Sequence, residues 1–237
     1  MSDLILGMGE VGSALYELLT ERKIDVEGFD ADDTKCKLSM TEAIICNGMM
    51  HVCIPYNVTF VSDVVQATFE YNPKVIIIHS TIPSGTCSEI TRAIEGKIPL
   101  FYSPIRGVRE RLLQDLKLYD KFIAPHRPSF EDELKVRFGE IAWYESVASL
   151  ELAKIMETTY YGFLIAFRKD IDEKFADMKL DSQIFWEFCF EVHLHLGTRP
   201  VMVNDGEKIG GHGVINNLDL LPKELSFYKE WIGKWKT

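Results

Sequence analysis

The chain opens on a short apolar run, Leu4-Ile5-Leu6, followed at once by Gly7-Met8-Gly9-Glu10-Val11-Gly12. Beyond the glycines, Ala14, Leu15, Leu18 and Leu19 recur at helical spacing. A strand, a G-x-G-x-x-G turn and an amphipathic helix in that order leave few folds open. Gly7 permits the tight turn, Gly9 allows a phosphate to approach the backbone, and Gly12 allows the helix to pack closely on its strand. The first amides of such a helix have no partner within it, so the loop Gly7, Met8, Gly9, Glu10, Val11, Gly12 is a candidate anion cradle.

A second strand, Asp25 to Phe29, runs into Asp30, about 20 residues after the glycines. A carboxylate there accepts hydrogen bonds from the ribose of an adenine dinucleotide, and together these features predict a Rossmann unit. Asp32 and Asp33 add negative charge, and no Arg or Lys lies between Asp25 and Thr34. A 2′-phosphate is therefore repelled, and NAD is expected over NADP. The plainer reading of Asp30 is a cap on the segment that follows.

Strand and helix patterns then alternate. Strands are expected at Met49 to Ile54 (ending at Pro55), Lys74 to His79, Pro99 to Tyr102, Lys121 to Ala124 and Ile141 to Tyr144. Helices are expected at Thr41 to Asn47, Asn57 to Glu70, Thr86 to Ile94 and Phe130 to Phe138. This order implies an α/β fold with a doubly wound, mainly parallel sheet. From Ser149 to about Met178 there is no proline, and only Gly162 interrupts a long helical pattern. Further helices are expected at Ser182 to Leu196 and Pro222 to Lys234, separated by a Gly- and Asn-rich loop. The expected division is a dinucleotide-binding domain over 1–147 and a smaller all-helical part over 148–237, built on a long central helix.

The formal net charge of -10 disfavours nucleic acid, which needs a basic footprint. No apolar run reaches membrane-spanning length and no signal peptide is evident, so a cytoplasmic protein is expected. Cys36, Cys46, Cys53, Cys87 and Cys189 lack paired spacing and read as reduced thiols. His193 and His195 point to different helix faces, and no metal site is expected.

Three later segments resemble the UDP-glucose/GDP-mannose dehydrogenase family. Ser80-Thr81-Ile82-Pro83-Ser84-Gly85-Thr86 is similar to its S-T-[VI]-P-x-G-T loop. Glu151-Leu152-Ala153-Lys154, continuing through Thr158, Tyr160 and Ala166-Phe167, resembles its central helix. Ile209-Gly210-Gly211-His212-Gly213-Val214-Ile215 resembles its G-G-H-C-[IV] loop. The glycine loop and helix lysine are also those of the wider 6-phosphogluconate dehydrogenase-like superfamily. The resemblance implies an NAD-dependent dehydrogenase and a homodimer formed through the central helix. Pro55, Ser80 and Thr81, at the C-terminal ends of strands, join the glycine loop and Asp30 as candidate cofactor contacts; the plainer reading of Ser80 and Thr81 is capping of the run that starts near Thr86.

The sequence also departs from the family. Gly213 stands where the nucleophilic cysteine belongs, which removes the covalent route to a carboxylate. Thr158 replaces the asparagine one turn after Lys154, and Ser103-Pro104-Ile105-Arg106-Gly107 lacks the family's strand-end acid. About 20 residues follow Asn217, so a third, nucleotide-gripping domain is not expected.

Oxidation of an alcohol needs NAD, a base and an oriented carbon. Lys154 is the candidate base, provided that burial lowers its pKa, with Thr158 and His212 as further catalytic candidates. Ser103, Arg106, Gly211 and His212 join Lys154 as candidate substrate contacts. Arg106, Arg109 and Arg111 together offer a phosphate or carboxylate site, or plain surface pairing with Glu110 and Asp115. The plainer readings make Lys154 a solvated lysine and His212 a loop histidine in water. The sequence thus predicts two-electron oxidation of a hydroxyl on a small anionic or sugar-like substrate. The alternative is a catalytically silent NAD-binding regulatory or assembly module.

Overall fold

The structure is a computed structural model and describes residues 2–37, 46–197 and 214–235. The expected helix at Thr41 to Asn47 falls mostly outside the described residues. The chain divides into two compact units, Met1–Leu152 and Ala153–Thr237.

In the first unit, β1 (Asp3–Leu6), β2 (Val26–Phe29), β3 (Met49–Val52), β4 (Val75–Ile78) and β5 (Leu100–Tyr102) form one five-stranded sheet in the order β2-β1-β3-β4-β5. Every pairing in it is parallel. Its strands are buried almost throughout because helices cover both faces. Leu4, Leu6, Met50, Val52, Ile76 and Ile78 point to one face, where they meet Phe60 and Val64 of α2 (Phe60–Tyr71) and Ile90 of α3 (Thr86–Ala93). Ile5, Met49, Ile77 and Phe101 point to the other, toward Leu15, Leu18 and Leu19 of α1 (Glu10–Glu21). Leu112 and Leu116 of α4 (Leu112–Leu118), with Leu134 and Phe138 of α5 (Glu131–Phe138), complete that layer. This is the doubly wound parallel sheet that the sequence predicts.

One expectation is corrected. Lys121 to Ala124 does not extend the main sheet. Instead β6 (Lys121–Ile123) pairs in parallel with β7 (Ile141–Trp143) as a separate two-stranded sheet. A single antiparallel bridge, Tyr102 to Ala124, joins it to β5.

A polar chain crosses the core of this unit. Arg137 donates to both carboxylate oxygens of the fully buried Asp3, at 2.6 and 2.9 Å. The Met49 amide donates to the same carboxylate at 2.8 Å, and His51 Nε2 lies 3.3 Å from it. His51 and His79 stack with ring nitrogens 3.1 Å apart, and His79 Nδ1 donates to the Ser103 carbonyl at 2.7 Å. Lys121 Nζ donates to the same carbonyl at 3.1 Å. Burial pushes the Asp3 carboxyl up, but its bonds to His51 and Arg137 and their charges outweigh that and hold it well below the usual carboxylate range. Burial, followed by the charges of Lys121 and His51, drives His79 well below the ordinary 6.5.

The long helix α6 (Val147–Asp177) starts in the first unit and continues into the second. It runs straight through Gly162, which the sequence reading treats as an interruption. A Cβ at Gly162 would stand 2.5 Å from Val214 Cγ1, so the glycine is where α8 (Val214–Leu218) seats on the helix. Ile165, Ala166, Val214, Leu218 and Ile232 form the core of this unit, Ile232 coming from α9 (Ser226–Gly233). The intervening α7 (Gln183–Leu196) is anchored by Trp186, whose indole N–H donates to Asp172 at 2.7 Å. Asp172 also accepts from Arg168 at 3.0 Å and Ser182 at 2.7 Å.

Candidate dinucleotide site

The turn from β1 to α1 has the geometry its glycines suggest. Gly7 adopts φ +96°, and a Cβ there would meet the Cys53 backbone at 2.9 Å. A Cβ at Gly12 would lie 1.9 Å from the Gly7 carbonyl oxygen, so only glycine lets the helix start this close to its own strand. A Cβ at Gly9, by contrast, would meet nothing within 4 Å. Gly9 caps α1 without a side-chain hydrogen bond, and the first amides of a helix have no partner within it.

Asp30 follows β2 directly, beside this loop. Its Oδ2 accepts the Met8 amide at 2.7 Å and its Oδ1 the Asp32 amide at 2.9 Å. The carboxylate is thereby fixed against the glycine loop, with lone pairs left for ribose hydroxyls. Asp32 caps the next turn, accepting from the Thr34 amide and hydroxyl, and pairs with Lys35 at 3.3 Å. Those bonds, Thr34 first and Lys35 next, lower its carboxyl pKa. Asp30 thus answers to both readings: one oxygen caps the following segment through the Asp32 amide, and the other is bonded to the glycine loop through the Met8 amide.

Because β1, β3 and β4 are neighbours, the segments after them meet at one sheet edge. Pro55 is exposed there. The Ser80 hydroxyl donates to the Ile54 carbonyl at 2.6 Å, tying the ends of β3 and β4 together, and Thr81 is half-buried beside it. The loop they begin is held from below by Glu151, a fully buried residue in the first turns of α6. Its carboxylate accepts the Gly85 amide at 2.6 Å and the Cys87 amide at 2.9 Å, at the start of α3. Glu151 stands in the quoted central-helix motif, but nothing in a single sequence says that it caps a helix 64 residues upstream.

Other candidates sort differently. Ser103 is fully buried, its hydroxyl donating to the Phe122 carbonyl at 3.0 Å, so its side chain is turned into the core of the first unit. Arg106 lies over the Phe122 ring, 3.9 Å from its centroid, and donates to the Asp120 carbonyl at 2.5 Å. Arg111 pairs with Asp115 at 3.0 Å, whereas Arg109 pairs with Glu10 at 2.9 Å. The three arginines do not form one cluster.

In the second unit, Lys154 is largely buried (side chain 13% exposed), with Glu157 3.5 Å away. One turn on, the Thr158 hydroxyl donates to the Ile155 carbonyl at 2.9 Å and accepts from Asn217 Nδ2 at 3.0 Å. Asn217, itself buried, is a contact that the sequence reading misses. Gly211 and His212 lie outside the described residues. Among the described residues no group of His, Cys, Asp and Glu is arranged to hold a metal, and no helix is long and apolar enough to cross a membrane.

Sheet order and glycine turn define the first unit as a Rossmann-type parallel α/β fold, and a helical unit follows it. Within that class the chain is similar to nucleotide-sugar dehydrogenases. It is 26% identical over 178 residues to the UDP-N-acetyl-D-mannosamine dehydrogenase of Methanococcus vannielii, covering 73% of this chain and 40% of that protein. It is 22% identical to the enzyme of that name from Methanocaldococcus jannaschii, covering 88% of this chain and 58% of the relative. The chain thus spans about two fifths to three fifths of these relatives. Among solved structures, UDP-D-ManNAc dehydrogenase from Pyrococcus horikoshii superposes with a TM-score of 0.82 at 16% identity, over 99% of this chain and 69% of that one. The 3-hydroxyisobutyrate dehydrogenase of Mycobacterium tuberculosis superposes at 0.68 and 16% identity, over 98% and 92% respectively. No family model matches the chain.

Proposed function

We propose that this chain is an NAD-dependent oxidoreductase that removes two electrons from a hydroxyl group on a small anionic or sugar-like substrate. The observation that carries the reading is the Asp30 carboxylate, locked by the Met8 amide beside an open glycine loop at the C-terminal edge of a parallel sheet. Gly7, Met8, Gly9, Glu10, Val11 and Gly12 would cradle the diphosphate, Asp30 the adenine ribose, and Pro55, Ser80 and Thr81 the nicotinamide end. When bound, NAD supplies the hydride acceptor. The chain's own tasks are to hold the substrate hydroxyl and take its proton.

Lys154 is the proposed base, accepting that proton at Nζ. Thr158 and His212 would orient the hydroxyl, and Arg106 and Gly211 would bind the rest of the substrate. Ser103 takes no part in this scheme, since its hydroxyl is committed to Phe122, its amide to Ile78 and its carbonyl to His79 and Lys121. The sugar-like substrate class is supported by the similarity to UDP-N-acetyl-D-mannosamine dehydrogenases. A homodimer through the central helix is supported by Tyr160, Tyr161 and Phe167, large side chains exposed along α6. The second reading, a silent NAD-binding module, is favoured by Gly213, which leaves the family loop without a nucleophile.

Equilibrium titration with NAD, followed by turnover assays on UDP-sugars and small hydroxy acids, tests the proposal. Binding with turnover that Lys154→Ala abolishes supports the enzyme. Binding without turnover on any of them supports the module, and no NAD binding overturns both.

A further inference from the structure

Glu10 is the first residue of α1, on the glycine loop itself. A carboxylate there is favoured by the helix dipole in the empty protein, but it repels a diphosphate seated on the same helix end. The chain places a counter-charge on it from a distant segment. Arg109, in the single helical turn between β5 and α4, brings Nε to 2.9 Å from Glu10 Oε1. Its neighbours face elsewhere: Arg106 is held by Asp120 and Phe122, and Arg111 by Asp115. Among the described residues Arg109 makes no other hydrogen bond or ion pair, so the Nη1 and Nη2 end of its fork is unoccupied beside the loop. The pair is exposed, with side chains 66% and 41% accessible, and such a pair contributes only about 0–1 kcal/mol to stability. Stability is therefore a weak reason for Arg109 to reach this particular carboxylate.

We infer that Arg109 is a diphosphate-binding residue of the dinucleotide site. Glu10 holds it over the glycine loop, and its terminal nitrogens close on the anion from the side opposite the helix amides. A planar guanidinium fork suits phosphate oxygens and offsets the Glu10 charge where a bare helix end would not. This rests on the dinucleotide reading above and assigns to the cofactor a residue that the sequence reading groups with the substrate.

The test measures binding of ADP-ribose and of adenosine to the wild-type chain and to Arg109→Gln, Glu10→Gln and the double variant by calorimetry, with circular dichroism confirming that each is folded. The expected result is about tenfold weaker ADP-ribose binding in Arg109→Gln, with a smaller salt dependence and unchanged adenosine binding. The loss should persist in the Glu10→Gln background, because the contact is with the anion. Wild-type-like ADP-ribose binding by Arg109→Gln overturns the inference and leaves the dinucleotide reading standing. So does a loss that vanishes once Glu10 is neutral, which would make Arg109 only a partner for Glu10. If the wild-type chain binds no ADP-ribose, the dinucleotide reading itself fails.

Discussion

Asp3 is the residue whose removal should cost the first unit most. Its carboxylate is fully buried and accepts from Arg137 twice, at 2.6 and 2.9 Å, and from the Met49 amide at 2.8 Å. In Asp3→Ala the Arg137 guanidinium, only 9% exposed, stays buried without its counter-charge. Breaking one partner of such a pair costs about 3–5 kcal/mol, a large share of the roughly 5–15 kcal/mol that stabilises a domain. Removing both charges, as in Asp3→Leu with Arg137→Met, should recover most of that loss. Urea unfolding at neutral pH, with hydrogen exchange of the β1 and β3 amides to localise the effect, provides the measurement. The same groups set the response to acid. Asp3 is depressed from 3.8, so its contribution is complete above that value and fades as pH falls toward the folded pKa. His79 is depressed from 6.5, so the unfolded chain binds its proton first and stability declines once pH drops below about 6.5. A loss under about 1 kcal/mol in Asp3→Ala, the value for an exposed pair, would refute this reasoning.

Three further substitutions have expected outcomes. Gly12→Ala drives a methyl group against the Gly7 carbonyl at 1.9 Å; thermal unfolding should show a loss of about 1–3 kcal/mol, and NAD affinity should fall with it. Glu151→Ala strips the Gly85 and Cys87 amides of their acceptor and should cost about 1–3 kcal/mol, read by urea unfolding and by faster exchange at the start of α3. Lys154→Ala should abolish turnover while leaving the NAD dissociation constant unchanged, measured by steady-state kinetics beside calorimetry; retained turnover would remove Lys154 from its proposed role.

The parts of this fold that were legible in the sequence are local ones. Leu4 to Leu19 encodes strand, turn and helix within one short window, and Asp30 follows the second strand at the distance a ribose contact requires. The continuous apolar runs at Met49 and Val75 mark strands buried on both faces. What escaped depends on residues far apart in the chain. Arg137 reaches Asp3 across 134 positions, and neither side of that pair shows a pattern that singles it out. Arg109 finds Glu10, and Glu151 finds Gly85, only because the strand order gathers their loops. The separate β6–β7 sheet was illegible for another reason: three-residue strands carry too little periodicity to reveal their partner. Ser103 looked available in the sequence because a Ser-Pro strand end reads as a loop, yet its hydroxyl is spent on Phe122.

The central claim is that the glycine loop and Asp30 form an NAD site, and a paired titration of NAD and NADP against the wild-type chain and Asp30→Ala tests it most directly. The expected result is NAD binding by the wild-type chain and at least about tenfold weaker NADP binding, with Asp30→Ala losing both NAD affinity and the discrimination. Equal affinity for the two dinucleotides, or binding that Asp30→Ala leaves untouched, would contradict the assignment of Asp30. Absence of binding by either dinucleotide would contradict the site as a whole.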